Sequence, residues 1–461
     1  NVGDRFTERT YDNLKSLHLD YLLNHGYPHA DVQGRVYLDD KLNTAAIVLT
    51  IDPGPLSYFG QTRIEGHRDT PDYLIRRQLA YKENELFDFR KVYQSQRNLY
   101  KLDLFSSVAI SPEEIPATEA EIPLEVKVVE AKKRSVTGGL GWGTEDQIRA
   151  RLGLRLRNLG GGGRILDFEG RYSRIDSSFA SSFTNPQLWG SYNDLVVSSG
   201  LFFRDYPAFD DRILSGETRL ERQLPWGIKA YGGYMIQFDR QSDIPGTTQD
   251  LFRESQDRTF RSSLAFLGLR LDTSDDVVYP TRGGMLLAHG EAAPSWLGSQ
   301  VHFTAARVEG RRYLDLWQKK FILATRAVVG LLEPIQGTQE IPLFRRFYTG
   351  GFNSVRGYRL YALGPVDAAG NPVGGNSLLE GSAELRFPVY KDLRGVGFVD
   401  AGNAFPTISS MDAGQLKYGA GFGLRYLTPM GPVGLDLAFP LNRIQQKQSS
   451  FQVYITIGQT F

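Results

Sequence analysis

The chain has 461 residues with 53 basic and 52 acidic side chains, a balance that argues against nucleic acid as a partner. Because cysteine is absent, disulfides, zinc–thiolate sites and iron–sulfur clusters are excluded. The 49 glycines, 27 phenylalanines and 23 tyrosines favour many short strands joined by tight turns.

The amino-terminal segment predicts part of a small α+β domain. Residues 8–25 predict an amphipathic helix, and strands are expected over 30–38 and 45–51. The Asp-Pro-Gly-Pro sequence at 52–55 is a strong break in regular structure. The chain therefore begins within a domain, which we assign to residues 1–54 as a truncated unit.

A second small domain is predicted over residues 55–131. Its order is strand, helix, helix, strand, strand, with Thr70 as the N-cap of a first helix that runs from Pro71 to about Ala80. The other elements are expected at 58–65, 88–102, 105–110 and 122–129. Residues 1–54 show the same order without the opening strand and first helix, so the two units are interpreted as repeats.

Residues 132–461 lose the helix signals and alternate between apolar and polar side chains, as in 165–172, 382–389 and 451–461. A soluble β-sandwich also alternates, with its apolar face inward. The uninterrupted run of about 330 residues favours a barrel instead, and strands of about 10 residues predict roughly 16 of them. We expect the first barrel strand near 135–142, where glycines weaken strand packing.

Residues 350–358 have the sequence Gly-Gly-Phe-Asn-Ser-Val-Arg-Gly-Tyr. The motif Val355-Arg356-Gly357-Tyr358 resembles a loop motif of the BamA/TamA family of outer-membrane insertases and transporters, and segments 380–388, 397–403 and 419–440 resemble that family in the same order. The two amino-terminal units resemble its polypeptide-transport-associated (POTRA) domains. The resemblance covers nearly the whole chain and implies a transmembrane antiparallel β-barrel of about 16 strands preceded by POTRA domains.

The resemblance also implies that the motif arginine, Arg356, folds into the barrel and meets acidic residues on the wall. Glu384 and Asp400 both fall on the polar phase of their strands, so we expect both to face the lumen. A guanidinium can bind a carboxylate through two parallel hydrogen bonds. The hypothesis is that Arg356, Glu384 and Asp400 form a lock for the loop; the alternative is an arginine in an exposed loop.

The carboxyl terminus carries a second signal. Residues 451–461 end in Phe461 with Gly458 three positions earlier, which resembles the carboxy-terminal assembly signal of outer-membrane barrels. The alternative is a last strand without that role. First and last strands must pair to close a barrel, and a weak seam would expose an edge that can template an incoming strand.

The resemblance implies a bacterial outer-membrane insertase or translocation platform with POTRA domains in the periplasm. Its expected partners are unfolded outer-membrane clients including autotransporters, a periplasmic TamB-like or accessory lipoprotein partner, and the lipid bilayer. Residues 364–365 and 374–380 favour the TamA-like branch. The alternative function is a two-partner-type secretion pore or passive channel.

Enzyme chemistry has little support in the sequence. The six histidines show no ligand spacing, and no G-x-S-x-G elbow occurs. Glu384 and Asp400 resemble a glycosidase pair only in residue type, because a neighbouring arginine would keep both ionised. We therefore expect no catalytic site, no cofactor and no metal.

Overall fold

The computed structural model describes residues 5–113, 118–143, 147–188, 193–252, 259–276, 279–318, 320–428, 431–442, 444 and 449–457. The chain divides into two compact units, Asn1–Ser135 with Leu156–Ile165, and Val136–Arg155 with Leu166–Phe461. No helix in the described ranges is long and apolar enough to cross a membrane.

The first unit opens with one helix and a strand pair, as expected from the sequence. They are α1 (Glu8–Leu23), β1 (Asp31–Asp39) and β2 (Thr44–Asp52), with the two strands antiparallel. Thr7 caps α1 by accepting a hydrogen bond from the backbone N–H of Thr10. Gly26 follows the helix with a positive φ of 95°, a conformation that favours glycine at a helix end.

A complete small α+β domain follows. Its elements are β3 (Tyr58–Glu65), α2 (Asp72–Arg76), α3 (Phe89–Lys101), β4 (Phe105–Pro112) and β5 (Glu121–Glu130). The strand order is β3-β5-β4, with β3 parallel and β4 antiparallel to the central strand. Leu99 of α3 packs with Ile75 and Val126, and each of these three side chains is 0% exposed. Burying such side chains drives this domain to fold, at about 1.5–3 kcal/mol apiece.

The predicted first helix of this domain is wrong in its cap and its length. Pro71, with an extended ψ of 141°, occupies the N-cap position, so Thr70 lies outside the helix. The helix ends at Arg76 because the chain tightens there, and Gln78 donates its backbone N–H to Ile75 only three residues back.

Glu130 anchors the turn before α2. Its carboxylate accepts hydrogen bonds from the backbone N–H groups of Arg68 at 3.3 Å, Asp69 at 3.0 Å and Thr70 at 2.7 Å. Burial by itself would raise the pKa of Glu130, but these hydrogen bonds and one from the Thr70 side chain outweigh it and lower the pKa. The charged form therefore stabilises the fold.

We expect Glu130→Gln to weaken this turn by about 1 kcal/mol at neutral pH, a modest value because the carboxylate is partly exposed. Since the folded pKa is lowered, the wild-type advantage is complete above the unfolded pKa of about 4.3 and is lost as the pH falls below it. Amide hydrogen exchange at residues 66–72 of the whole chain measures the effect. The exposed Glu83→Gln provides the control, and equal exchange in both variants would contradict the prediction.

Sixteen strands of the described residues close into one barrel, which confirms the predicted fold class. They are β6 (Arg134–Gly143), β7 (Gln147–Leu159), β8 (Arg164–Tyr172), β9 (Asp176–Asn185), β10 (Asn193–Tyr206), β11 (Phe209–Gln223), β12 (Ile228–Ser242), β13 (Thr259–Asp272), β14 (Gly283–Ala293), β15 (Phe303–Trp317), β16 (Phe321–Pro334), β17 (Ser377–Tyr390), β18 (Leu393–Phe405), β19 (Lys417–Thr428), β20 (Gly431–Pro440) and β21 (Gln452–Ile457).

The alternation along the barrel strands points apolar side chains outward. On β17, Leu385 is 38% exposed whereas its neighbours Glu384 and Arg386 are 1% and 4% exposed. Other outward apolar side chains are Leu140, Leu152, Phe179, Leu201, Leu214, Phe422 and Leu435. A sandwich would bury these residues, so the single closed sheet rules out that alternative.

Candidate functional site

The segment 335–376 between β16 and β17 carries the loop motif, and we call it the motif loop. Phe347 bridges to Gly375, and Thr349 bridges to Leu363, so the loop is organised by its own backbone pairing. Gly350 has a positive φ of 104°, and a Cβ there would lie 2.8 Å from the carbonyl oxygen of Arg359. The tight turn before the motif therefore requires glycine.

Arg356 extends from the motif loop to Asp400 on β18. Its Nε donates to Oδ2 at 2.7 Å, and its Nη2 donates to Oδ1 at 3.0 Å. The backbone N–H of Arg356 adds a third hydrogen bond to Oδ2 at 3.1 Å. The exposed fractions are 4% for Arg356 and 0% for Asp400, so this two-pronged ion pair is shielded from water.

Arg356 also reaches Glu384, the second carboxylate expected on the wall. Its Nη1 lies 3.2 Å from Oε2 of Glu384, and its guanidinium carbon lies 3.4 Å from the centre of the Phe398 ring. The structure thus brings together the three side chains that the sequence placed in the lock. Each carboxylate is already paired with a buried cation, an arrangement suited to holding the loop rather than to proton transfer.

Three further charged residues complete the cluster, and sequence reasoning missed them. Nη1 of Arg356 lies 3.4 Å from Oδ2 of Asp436 on β20, which also accepts from Nη2 of Arg425 at 2.7 Å. Arg386 donates its Nε to Glu384 at 2.8 Å. The cluster therefore balances three arginines with three carboxylates. The polar phase of segments 382–389 and 419–440 carried the signal that could have found these residues.

The other motif residues pack the loop against the wall. Val355 and Tyr358 are both 0% exposed and share a cluster with Leu363. The Tyr358 hydroxyl lies 2.9 Å from the carbonyl oxygens of Tyr418 and Asn442, either of which can accept a hydrogen bond from it. The motif loop is thus held by apolar burial as well as by charge.

A further buried carboxylate, Glu380, was also missed by sequence reasoning. It accepts from Nη1 of Arg326 at 3.2 Å, from the Thr349 hydroxyl at 2.6 Å and from the Ser354 hydroxyl. Thr349 and Ser354 flank the glycine turn of the motif loop, so Glu380 fastens the start of the motif to β17.

Gly357 leaves no room for a side chain. Its φ is 95°, and a Cβ would lie 2.7 Å from the backbone carbon of Phe439 and 2.8 Å from the nitrogen of Pro440. We expect Gly357→Ala to displace the motif from the wall, because backbone atoms cannot move aside as a flexible side chain can. Limited proteolysis of folded protein measures this as faster cleavage within 335–376. Gly337→Ala is the control, since nothing lies within 4 Å of its Cβ position; equal protection of both variants would contradict the prediction.

The seam is the junction between β6 and β21, the first and last strands of the barrel. Its described register comprises one pair, Tyr454 with Gly143, whereas β20 and β21 share six pairs. The predicted first strand at 135–142 agrees with β6. Gly458 and Phe461 of the predicted assembly signal lie outside the described residues.

Comparison with protein-family models gives two matches. The model described as the Omp85 superfamily domain matches residues 158–461, and a POTRA model described as a surface antigen variable number repeat matches residues 57–131. The outer membrane protein assembly factor BamA of Nitratidesulfovibrio vulgaris is 27% identical over 98% of this chain and 57% of its own length. BamA of Neisseria meningitidis is 25% identical over 95% of this chain and 60% of its own length.

The chain is also similar to a third curated relative and to a solved structure. The sorting and assembly machinery component 50 homolog of Xenopus tropicalis is 27% identical over 78% of this chain and 77% of its own length. BamA from Haemophilus ducreyi lacking POTRA domains 1–3 has the same fold, with a TM-score of 0.73 at 19% identity over 98% of this chain and 94% of that one. The chain spans about three fifths of the length of the two BamA relatives named above.

Proposed function

The chain belongs to the Omp85 superfamily, and from this premise we propose that it is an outer-membrane assembly factor that inserts β-barrel proteins. The proposal is carried by a combination of two features in one barrel. A buried, charge-balanced cluster anchors the motif loop to the wall, and the seam has one described strand pair. A barrel that opens at one junction can admit a strand without dismantling the rest of its wall. No catalysed reaction is part of this function.

The seam provides the backbone groups with which an incoming strand can pair. Strands that separate at β6 and β21 expose unpaired backbone N–H and C=O groups, which cannot be left unsatisfied in lipid. An incoming client strand that pairs with this edge satisfies them by β-augmentation. We therefore propose that the clients are unfolded outer-membrane proteins that must form antiparallel strands. We also propose that Gly458 and Phe461 of the predicted assembly signal contribute to strand pairing at the seam.

Arg356, Glu384 and Asp400 are proposed to act as a lock that keeps the motif loop inside the barrel during insertion. The motif loop contacts β18 and β20 through Asp400 and Asp436, strands close to the seam in the barrel order. This anchor supports the wall on the carboxy-terminal side of the seam, and Val355, Gly357 and Tyr358 hold the motif backbone against it.

The small α+β domain is proposed to receive clients or a periplasmic accessory partner. Its sheet order leaves β3 and β4 as edge strands, which offer backbone groups for pairing without reading sequence. Its matched family model is a POTRA model, which supports the same role. The partner class remains as predicted from the resemblance, a TamB-like protein or accessory lipoproteins.

The branch within the family defines the breadth of the client set. The named sequence relatives are BamA proteins and a sorting and assembly machinery component, and these favour a general insertase. The TamA-like branch stays a prediction from residues 364–365 and 374–380. Depletion in the native host followed by an inventory of outer-membrane proteins separates the two: broad loss indicates the general insertase, and loss confined to autotransporter-like proteins indicates the specialised branch.

Reconstitution tests the function itself. Purified chain in lipid vesicles is expected to accelerate the folding of an added unfolded barrel protein, measured by heat-resistant migration of the client on gels. Vesicles with the same mass of an unrelated folded barrel are the control. Steady large conductance in planar bilayers with no acceleration of client folding would favour the passive pore and overturn the proposal.

A further inference from the structure

Phe352 belongs to the motif loop, and its ring contacts the last barrel strand. Its ring centre is 5.4 Å from that of Tyr454 on β21, and it packs on a buried cluster that contains Tyr454, Phe398 and Val396. Tyr454 is also the residue whose backbone pairs with Gly143 across the seam. A side chain of the motif loop therefore contacts the residue of β21 that pairs across the seam.

The same ring touches the other side of the seam. The guanidinium carbon of Arg149 on β7 lies 5.7 Å from the centre of the Phe352 ring, within the range of a cation–π contact. Nη2 of Arg149 also donates to the carbonyl oxygen of Ile455 on β21 at 3.4 Å. Arg149 thus contacts the last strand both directly and through Phe352, although β6 lies between β7 and β21 in the barrel order.

Glycine on β6 provides the path for this contact. A Cβ at Gly141 would lie 3.7 Å from Cβ and 3.8 Å from Nε of Arg149, so the arginine side chain runs over the bare backbone of β6. A larger side chain at this position would occupy the space that Arg149 uses to reach β21. The glycines that weaken β6 as a strand therefore also open it to a side-chain bridge.

Tyr454 links this bridge to the motif. Its hydroxyl accepts a hydrogen bond from the backbone N–H of Gly357 at 3.3 Å and lies 3.4 Å from the carbonyl oxygen of Tyr358. Movement of β21 away from β6 would thus pull on the backbone adjoining Arg356. The seam and the anchored loop are mechanically connected through one tyrosine.

We propose that Arg149, Phe352 and Tyr454 form a clasp that helps to hold the seam shut by side-chain contacts. Phe352 is a positioning residue: its ring fastens the second strand of the barrel to the last. An aromatic–aromatic contact, a cation–π contact and a charge-assisted hydrogen bond each favour the closed arrangement. The consequence for client insertion rests on the function proposed above.

The clasp is testable by distance measurement, because the chain has no cysteine and can be labelled only where one is introduced. We choose Leu140→Cys on β6 and Leu435→Cys on β20, both exposed on the outer face and outside the clasp. Spin labels at these sites report separation across the seam in lipid vesicles without any client. We expect a narrow distance distribution for the parent and, for Phe352→Ala or Arg149→Gln, a longer component increased at least threefold.

A double variant tests whether Phe352 and Arg149 act together in one clasp or independently of each other. Because the two side chains share the cation–π contact, Phe352→Ala with Arg149→Gln should open the seam by less than the sum of the two single changes. Phe352→Tyr should restore the narrow distribution, and Phe179→Ala on the outer face of β9 should leave it unchanged. An unchanged distribution for Phe352→Ala, or full additivity in the double variant, would overturn the proposal.

A third variant leaves the motif loop intact and covers a folding failure of Phe352→Ala. Gly141→Val places a side chain in the path of Arg149 and is expected to lengthen the same label distance; a parent-like distance would count against the clasp. Client folding is assayed separately in the same vesicles. If the variants lengthen the label distance but the parent protein does not accelerate client folding, the proposed function alone is refuted. If the parent accelerates client folding but the three variants leave the label distance unchanged, the clasp alone is refuted.

Discussion

Arg356→Ala is expected to lower the free energy of unfolding by roughly 3–5 kcal/mol, because it leaves buried carboxylates without their cation. Asp400 would suffer most. It is 0% exposed, and the hydrogen bonds that its carboxylate keeps among the described residues come from the Ser382 hydroxyl at 2.5 Å and from the backbone N–H of residue 356, which alanine retains. Glu384 and Asp436 keep Arg386 and Arg425. Denaturant titration in lipid vesicles, read by tryptophan fluorescence and heat-resistant gel migration, measures the loss.

A matched arginine on the lumen side gives the control. Arg171 pairs with Glu169, but its side chain is 60% exposed, so Arg171→Ala should cost less than about 1 kcal/mol. The two substitutions remove the same atoms and differ in burial. If both cost the same small amount, the anchor at Arg356 contributes no more than a solvated ion pair and the lock is refuted.

Charge removal at the partner provides a second check on the mechanism. Asp400→Asn in the Arg356→Ala background should recover part of the lost stability, because it removes the uncompensated charge. By itself, Asp400→Asn should destabilise, since the guanidinium then loses its bidentate partner. Protease cleavage within 335–376 should follow the same order among the variants. A double variant that is less stable than Arg356→Ala would argue against an uncompensated buried charge as the cause.

Closing the seam covalently is expected to reduce client folding to less than a tenth of the parent rate. Trp142 and Ile455 come next to the Gly143–Tyr454 pair in the antiparallel register, so Trp142→Cys with Ile455→Cys places the two sulfurs on facing strands. A disulfide there prevents the separation of β6 from β21 that strand templating requires. The reconstituted client-folding assay measures the rate before and after reduction.

The reduced form of the same variant should recover activity, which distinguishes a closed seam from a damaged barrel. A control disulfide between Leu201→Cys and Leu214→Cys joins two facing residues of β10 and β11, far along the barrel order. It should leave client folding unchanged whether oxidised or reduced. Full activity with the seam disulfide formed would refute the role of the seam in insertion.

Strand alternation and the ordered motifs made the barrel predictable. A period of two assigns each side chain to lumen or lipid without reference to any distant residue, so Glu384 and Asp400 could be placed on the inner wall from their own strands. The first helix of the small domain was harder. Its end depends on a local tightening at Arg76, and Thr70 lost the cap position to Pro71, details that propensity does not resolve.

Two of the contacts that sequence reasoning missed join residues that lie far apart along the chain. Asp436 meets Arg356 across 80 residues and Tyr454 meets Gly357 across 97. Parity says that such side chains face the lumen, but the number of strands around the barrel and the path of the motif loop decide which of them meet. The glycine turns of that loop fix its path only once the wall is in place.

By itself, the sequence determined the class of fold, the run of alternating strands and the inward face of the acidic residues, because these follow from local periodicity. Only the tertiary structure decided that Arg356 lies between three carboxylates and that Phe352 bridges Arg149 and Tyr454. Closure of the barrel brings its first and last strands together, and packing of the loop inside it then selects the contacts, neither of which any local pattern encodes.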